Sequence, residues 1–243
     1  SNLTINGNGH TIKQTGTSNV ISNHGATITL NGGTYEATTD TGKPVIGNDG
    51  TFNVYDATIR VTGTKDSGQA FNNKNGTLNI YSGLIDNGPM SKYTCISNGT
   101  VNMYGGTITA QQKASAAIKA QTVNFTGGTI QNSKYGIQAN SSTSSITIGG
   151  SATFANNTAD IYLASGKQFT IADNFEGTAS VGVEDAVSDS IKRQITTKGT
   201  DKSMLAKVSS VNSSYSVNYD TSGKYLYLWK HAHSWNYSAS GNT

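Results

Sequence analysis

Gly99-Thr100-Val101-Asn102-Met103-Tyr104-Gly105-Gly106-Thr107-Ile108 decides the fold. Its apolar–polar–apolar core, Val101-Asn102-Met103, is the alternation of a strand with one buried face. The same triplet recurs as Ile28-Thr-Leu30, Phe52-Asn-Val54, Leu78-Asn-Ile80, Val123-Asn-Phe125, Ile146-Thr-Ile148 and Phe169-Thr-Ile171, with a slightly slipped copy at Leu3-Thr-Ile5. From Ile28 onward the first members are 24, 26, 23, 22, 23 and 23 residues apart. A period of this length marks a repeat architecture, in which one unit cannot bury its apolar face alone and the core forms by stacking.

Each triplet is followed by a turn and a second short strand: Gly32-Gly-Thr-Tyr35, Asp56-Ala-Thr-Ile59, Ser82-Gly-Leu-Ile85, Gly105-Gly-Thr-Ile108 and Gly127-Gly-Thr-Ile130. Glycine supplies the positive φ that such bends require. A third apolar point closes the unit at Ile21, Ile46, Phe71, Ile96, Ile118 and Ile137, before a small polar turn such as Asn75-Gly76 or Asn98-Gly99. Three strands per unit without intervening helices predict an all-β chain. The fold expected is a right-handed parallel β-helix of seven to eight coils of about 23 residues, stacked at roughly 4.8 Å per coil. An antiparallel sandwich with hairpins every ten residues is the rival, and the constant three-strand phase argues against it.

The phrases Gly-Gly-Thr-Ile and Gly-Thr-Val-Asn-Met-Tyr make residues 1–175 resemble the right-handed parallel β-helix superfamily of pectate-lyase-like solenoids. The pattern looks most like that of Thr-, Gly- and Asn-rich surface proteins of Gram-positive gut anaerobes. That resemblance implies an extracellular, cell-surface setting. It is specific for fold and hardly specific for any activity.

Composition narrows the function. Thr (33), Ser (28) and Asn (25) together supply 86 of 243 residues, while charged residues are only 13% and net charge is +3. Lys and Arg are scattered, which argues against nucleic acid or an anionic membrane as partner. No run approaches the roughly 18 apolar residues of a membrane span. One cysteine excludes an internal disulfide framework and Cys-built metal sites. Because the chain starts directly in a strand-like segment, no signal peptide is expected in it, and it reads as one monomeric module of a larger multidomain protein.

The expected organisation is a β-helix over residues 1–173, a β-rich C-terminal cap over 174–230, and the start of a following module or linker over 231–243. Within the cap, Glu184 to Gln194 predicts a short helix with Val187, Ile191 and Ile195 on one side. Strands are expected at Ser180–Val183, Tyr215–Tyr219 and Lys224–Trp229.

The middle residue of each triplet faces outward, so Asn53, Asn79, Asn102 and Asn124 should stack in one column, and Tyr55, Tyr81 and Tyr104 in the next. Aromatic rings beside amides suit a sugar chain, rings covering C–H patches and amides bonding hydroxyls. The alternative is a structural ladder of identical side chains that satisfy one another. Asn53, Asn79, Asn102, Tyr55, Tyr81 and Tyr104 are therefore the candidate glycan-binding residues.

For catalysis, Asp56, Arg60 and Asp86 form the best trio, but the carboxylates fall at different phases of the repeat and no catalytic residue is assigned. A glycosidase needs a carboxyl pair across the scissile bond, and a lyase a base with a carboxylate-held calcium ion. His231 and His233 could join a metal site only with a third ligand. Cys95, next to core residue Ile96, reads as a packed thiol. No metal or cofactor is expected. An outward Thr column (Thr34, Thr58, Thr107, Thr129, interrupted by Leu84) raises an ice-binding reading that β-propensity explains as well. The expectation is a non-catalytic surface module for adhesion or for binding host or dietary glycans or a host surface protein. A β-helix lyase or glycosidase and a structural stalk are the alternatives.

Overall fold

In the computed structural model, which describes residues 1–38, 43–63, 68–111 and 114–230, the chain is a parallel β-solenoid of about seven turns of ~24 residues. Its three faces are three parallel sheets. The first has eight strands, Asn2–Asn6, Thr27–Asn31, Thr51–Tyr55, Thr77–Ile80, Thr100–Met103, Thr122–Phe125, Ser145–Ile148 and Thr170–Ile171. The second runs in seven strands from Thr11–Gln14 to Thr153–Ala155, and the third in nine from Ile21–Asn23 to Val208–Ser210. Each strand pairs with the equivalent strand one coil away.

The register follows the apolar phase read from the sequence. Leu3 pairs with Ile28, Ile28 with Phe52, Phe52 with Leu78, Leu78 with Val101, Val101 with Val123, and Val123 with Ile146. Ile21, Ile46, Phe71, Ile96, Ile118 and Ile137 likewise form one ladder. A one-residue slip would turn every inward side chain outward, so the buried face fixes the register. Phe52 meets Phe71 edge-on across the core at 5.3 Å, as Phe125 meets Phe154 at 5.2 Å. Core formation by stacking is visible in the exposures: Leu3 is 52% exposed in the first coil, Ile28 5% in the next and Phe52 fully buried in the third.

The corners between the first and second sheets explain the glycines. Gly83 (φ 99°) and Gly106 (φ 80°) occupy a backbone region that L side chains avoid, and a Cβ on Gly83 would land on the Ala57 carbonyl. In the third coil Asp56 takes the left-handed role itself, at φ 49°.

The first and second sheets end near residues 171 and 155, whereas the third continues through Ala179–Val183 and Val208–Ser210. A three-stranded antiparallel sheet, Arg193–Gln194, Tyr225–Lys230 and Tyr215–Asp220, closes this end and buries Leu226 and Leu228. The strands expected at 180–183, 215–219 and 224–229 are present. The helix expected over Glu184–Gln194 is not. That segment bends, and ends in the Arg193–Gln194 strand, with Val187 and Ile195 buried but Ile191 53% exposed. Its charged side chains are tied to the solenoid, Glu184 to the Ser165 amide, Asp185 to the Gly166 amide and Arg193 to the Ala164 and Lys167 carbonyls, so tertiary contacts outweigh the helical pattern. A six-residue 3-10 helix, Lys202–Lys207, N-capped by Asp201, is the one helical element among the described residues. The sequence reading of residues 231–243, including His231 and His233, lies outside the described residues.

Candidate functional site

The first sheet carries both predicted columns. Thr–apolar–Asn–apolar strands place the asparagines outward, half-buried and in register. They form a hydrogen-bonded ladder: Asn79 Nδ2 donates to Asn53 Oδ1 (2.8 Å), Asn102 to Asn79 (2.9 Å) and Asn124 to Asn102 (2.8 Å). At the near end Asn53 Nδ2 donates to Thr29 Oγ1 at 3.2 Å. Each bond uses one N–H and one lone pair, and an amide has two of each.

The tyrosines stack beside this ladder. Tyr55 and Tyr81 lie 4.4 Å apart and 1° from parallel, and Tyr81 and Tyr104 5.1 Å apart at 21°. These separations straddle the strand spacing of about 4.8 Å, so the coil pitch itself creates the stack. Both faces of Tyr81 are covered by its neighbours, leaving its edge and hydroxyl outward. Tyr104, at 50% exposure, is the most open of the three. Partial burial and the Tyr81 hydroxyl push the Tyr55 phenol above its ordinary pKa, so it is neutral at physiological pH.

Of the trio Asp56, Arg60 and Asp86, Arg60 and Asp86 are register partners one coil apart, and Asp56 is at the corner instead. Asp56 turns the corner, its N–H donating to Ser82 Oγ, while Arg60 is engaged by Glu36, with Nη2 at 2.8 Å and Nε at 2.9 Å. Phase, not nearness along the chain, groups these charges. Lys13, Glu36, Arg60 and Asp86 are consecutive register partners on the second sheet, giving a column of alternating sign. Glu36 is only 5% exposed and also meets Lys13 at 3.3 Å. Spacings of 23, 24 and 26 residues within the repeat phase are the sequence signal for it.

A second asparagine ladder, at the ends of the third sheet's strands, was also missed. Asn23 Nδ2 donates to Asn48 Oδ1 and Asn48 Nδ2 to Asn73 Oδ1, both at 2.7 Å, and all three are at most 3% exposed. The Thr column is in register from Thr34 through Thr58, Leu84 and Thr107 to Thr129, half-buried and broken by Leu84. Cys95 is fully buried, and burial followed by the nearby Asp86 charge pushes its thiol pKa well up, away from the reactive thiolate.

Among the described residues no three His, Cys, Asp or Glu side chains gather to hold a metal ion, and no helix is long and apolar enough to cross a membrane. Comparison with known proteins returns no matching protein-family model, no matching curated protein and no matching solved structure.

Proposed function

We propose that this solenoid is a non-catalytic, extracellular surface module that binds carbohydrate chains in adhesion, along the face built from Tyr55, Tyr81, Tyr104 and the Asn53–Asn79–Asn102 ladder. One observation carries the reading. Of eight exposed large hydrophobic side chains among the described residues, three are these tyrosines, brought into a single column beside amides. A soluble face has no need to expose aromatic area in a line, and such patches mark contact surfaces.

A glycan laid along the column would meet three phenol hydroxyls and ring edges, the outer face of Tyr104, and the amide N–H groups and lone pairs that the ladder leaves free. Binding would be shallow and spread over several coils, with affinity gained by repetition. The ligand class is a host or dietary polysaccharide, on the surface of a bacterium of the kind the sequence resemblance implies.

A structural stalk is the second reading, favoured by the mutual satisfaction of the Asn ladder and the covered faces of Tyr81. A glycan array probed with the wild type and with Tyr104→Ala separates the two. Glycan retention that Tyr104→Ala abolishes supports binding. Absence of retention across the array leaves the stalk. Release of reducing ends or of unsaturated products from any retained glycan overturns the non-catalytic assignment.

A further inference from the structure

A different face carries a more enclosed feature. The outward column of the third sheet runs Lys119, Gln138, Tyr162, Gly182 as the chain climbs toward the cap, and Val211 follows Gly182 just past the last strand. Tyr162 is clamped in place by Tyr135, stacked at 4.2 Å and 16°. Above it the column position is glycine. A Cβ on Gly182 would lie 3.0 Å from Tyr162 Cδ2 and 3.2 Å from Val211 Cγ2, so the missing side chain is what keeps the floor clear between them.

Two hollows flank Tyr162, which forms the ridge between them. One of about 420 Å³ is walled by Tyr162, Gly182, Val211, Asn212 and Tyr215. The other, of about 370 Å³, is walled by Tyr162, Gln138, Asn140 and Ser165. Glu184 borders both. Each volume is at the lower end of the range for small-ligand sites, about 300–1,000 Å³. The Gln138 Oε1 on the second wall is buried and has no hydrogen-bond partner, an acceptor the protein leaves unused.

Charge restricts what fits. Glu184 is held at one oxygen by the Ser165 N–H at 3.1 Å, leaving its other lone pairs outward. Asp185, also on the first wall, is kept ionised: burial would raise its pKa, but hydrogen bonds from Ser165 and Arg193 and the Gly166 amide together pull it below the ordinary value. The cations nearby are committed elsewhere. Arg193 is 7% exposed and engages Asp185 and the carbonyls of Ala164, Lys167 and Gln194. Lys167 donates to the Thr143 carbonyl, and Lys192 sits over Tyr227 and Trp229. Lys134 lies over the Tyr135 ring, and among the described residues no lysine or arginine lines either hollow, so the site offers aromatic walls, amides and carboxylate acceptors.

We propose that the Tyr162–Glu184 hollows form a carbohydrate site for a neutral or amino pyranose, separate from the Tyr55–Tyr104 face and excluding uronic and other acidic sugars. Vicinal hydroxyls donate to the Glu184 carboxylate, and the sugar's C–H face lies against Tyr162 and Val211. An amino sugar adds an ion pair to Glu184.

The test is calorimetric titration of the full chain with four soluble trisaccharides: cellotriose, mannotriose, the glucosamine trimer and the galacturonate trimer. Expected is millimolar or tighter binding of at least one of the first three, weakened at least tenfold by Glu184→Gln and by Tyr162→Ala and left unchanged by Tyr104→Ala. Glu184→Gln retains an acceptor for Ser165 and guards against a Tyr162→Ala variant that merely misfolds. Binding of the galacturonate trimer in preference, binding insensitive to Glu184→Gln, or no binding of any of the four overturns the site. Binding lost in Tyr104→Ala but kept in Glu184→Gln places the sugar on the tyrosine face and overturns this site alone.

Discussion

Asn102 donates its side-chain N–H to the carbonyl oxygen of Asn79, one coil below, at 2.9 Å, and accepts the same bond from Asn124 above. A residue in the middle of this ladder loses two bonds when truncated and strands one donor and one acceptor on its neighbours. Because the column is half-buried, water recovers part of the loss. Asn102→Ala should cost about 1–2 kcal/mol, and Asn124→Ala, which breaks only the bond to Asn102, about half as much. Urea unfolding midpoints check this, and negligible losses for both would mean that the ladder contributes nothing to stability.

The inner ladder is a harsher case. Asn48 is fully buried, donates to Asn73 Oδ1 and the Gly50 carbonyl, and accepts from Asn23 Nδ2 and the Gly50 N–H. No water replaces these bonds on truncation. Asn48→Ala should cost about 3 kcal/mol or more, clearly above Asn102→Ala by the same unfolding measurement, and Asn48→Asp should not rescue it, because a carboxylate cannot donate to Asn73.

The sequence revealed the parts of this molecule that repeat in phase. Val101, Leu78 and Phe52 share a phase because one buried face must continue from coil to coil, and the Asn and Tyr columns follow from that register without further information. Two things were hidden. Contacts between unlike residues in one phase, such as Glu36 with Arg60, read as isolated charges until the coils are stacked. Features made by absence are harder still: Gly182 means little in the chain, and matters only because Tyr162 lies twenty residues earlier at the same column position. The failed helix over 184–194 has the same origin. Its apolar spacing was genuine, but Asp185 and Arg193 are tied to the Gly166 amide and to the Ala164 and Lys167 carbonyls, contacts that a helix would have to break.

Tyr35 carries a small defect in an otherwise apolar core. Its ring is 1% exposed, packed between Ile12 and Ile59 in register, and its buried hydroxyl has no hydrogen-bond partner. Burial accordingly raises its pKa. A buried hydroxyl without a partner is a desolvation cost with no return. Tyr35→Phe should stabilise the protein by about 1 kcal/mol, seen as a rise of roughly 2–4 °C in the thermal midpoint. A fall would show that the hydroxyl has a bonding partner in solution.

The charge column makes two carboxylates respond to acid in opposite senses. The hydrogen bond from Arg60, aided by Lys13 and opposed by burial, lowers the pKa of Glu36. A lowered folded-state value means that the ion pair's stabilisation is complete above the ordinary glutamate range near about 4.3, and is lost as pH falls through the folded value. Asp86 is raised instead: burial dominates, and the Gly88 N–H and Arg60 only partly offset it. Its ionised form is therefore a burden at neutral pH, one relieved as pH falls through its folded value toward the ordinary aspartate range near about 3.9. Glu36→Gln should be less stable than wild type at pH 7, by on the order of 1 kcal/mol for the lost charged hydrogen bonds, with the deficit closing only below about pH 4.3. Asp86→Asn keeps the acceptor for Gly88 and should be more stable than wild type at pH 7, with the advantage already shrinking above about pH 3.9. Unfolding free energies of the three proteins between pH 3 and 7, at one fixed salt concentration because partly exposed pairs are screened, decide it. A destabilised Asp86→Asn at neutral pH would mean that the attraction of Arg60 outweighs the burial of Asp86, overturning the raised pKa assigned to it.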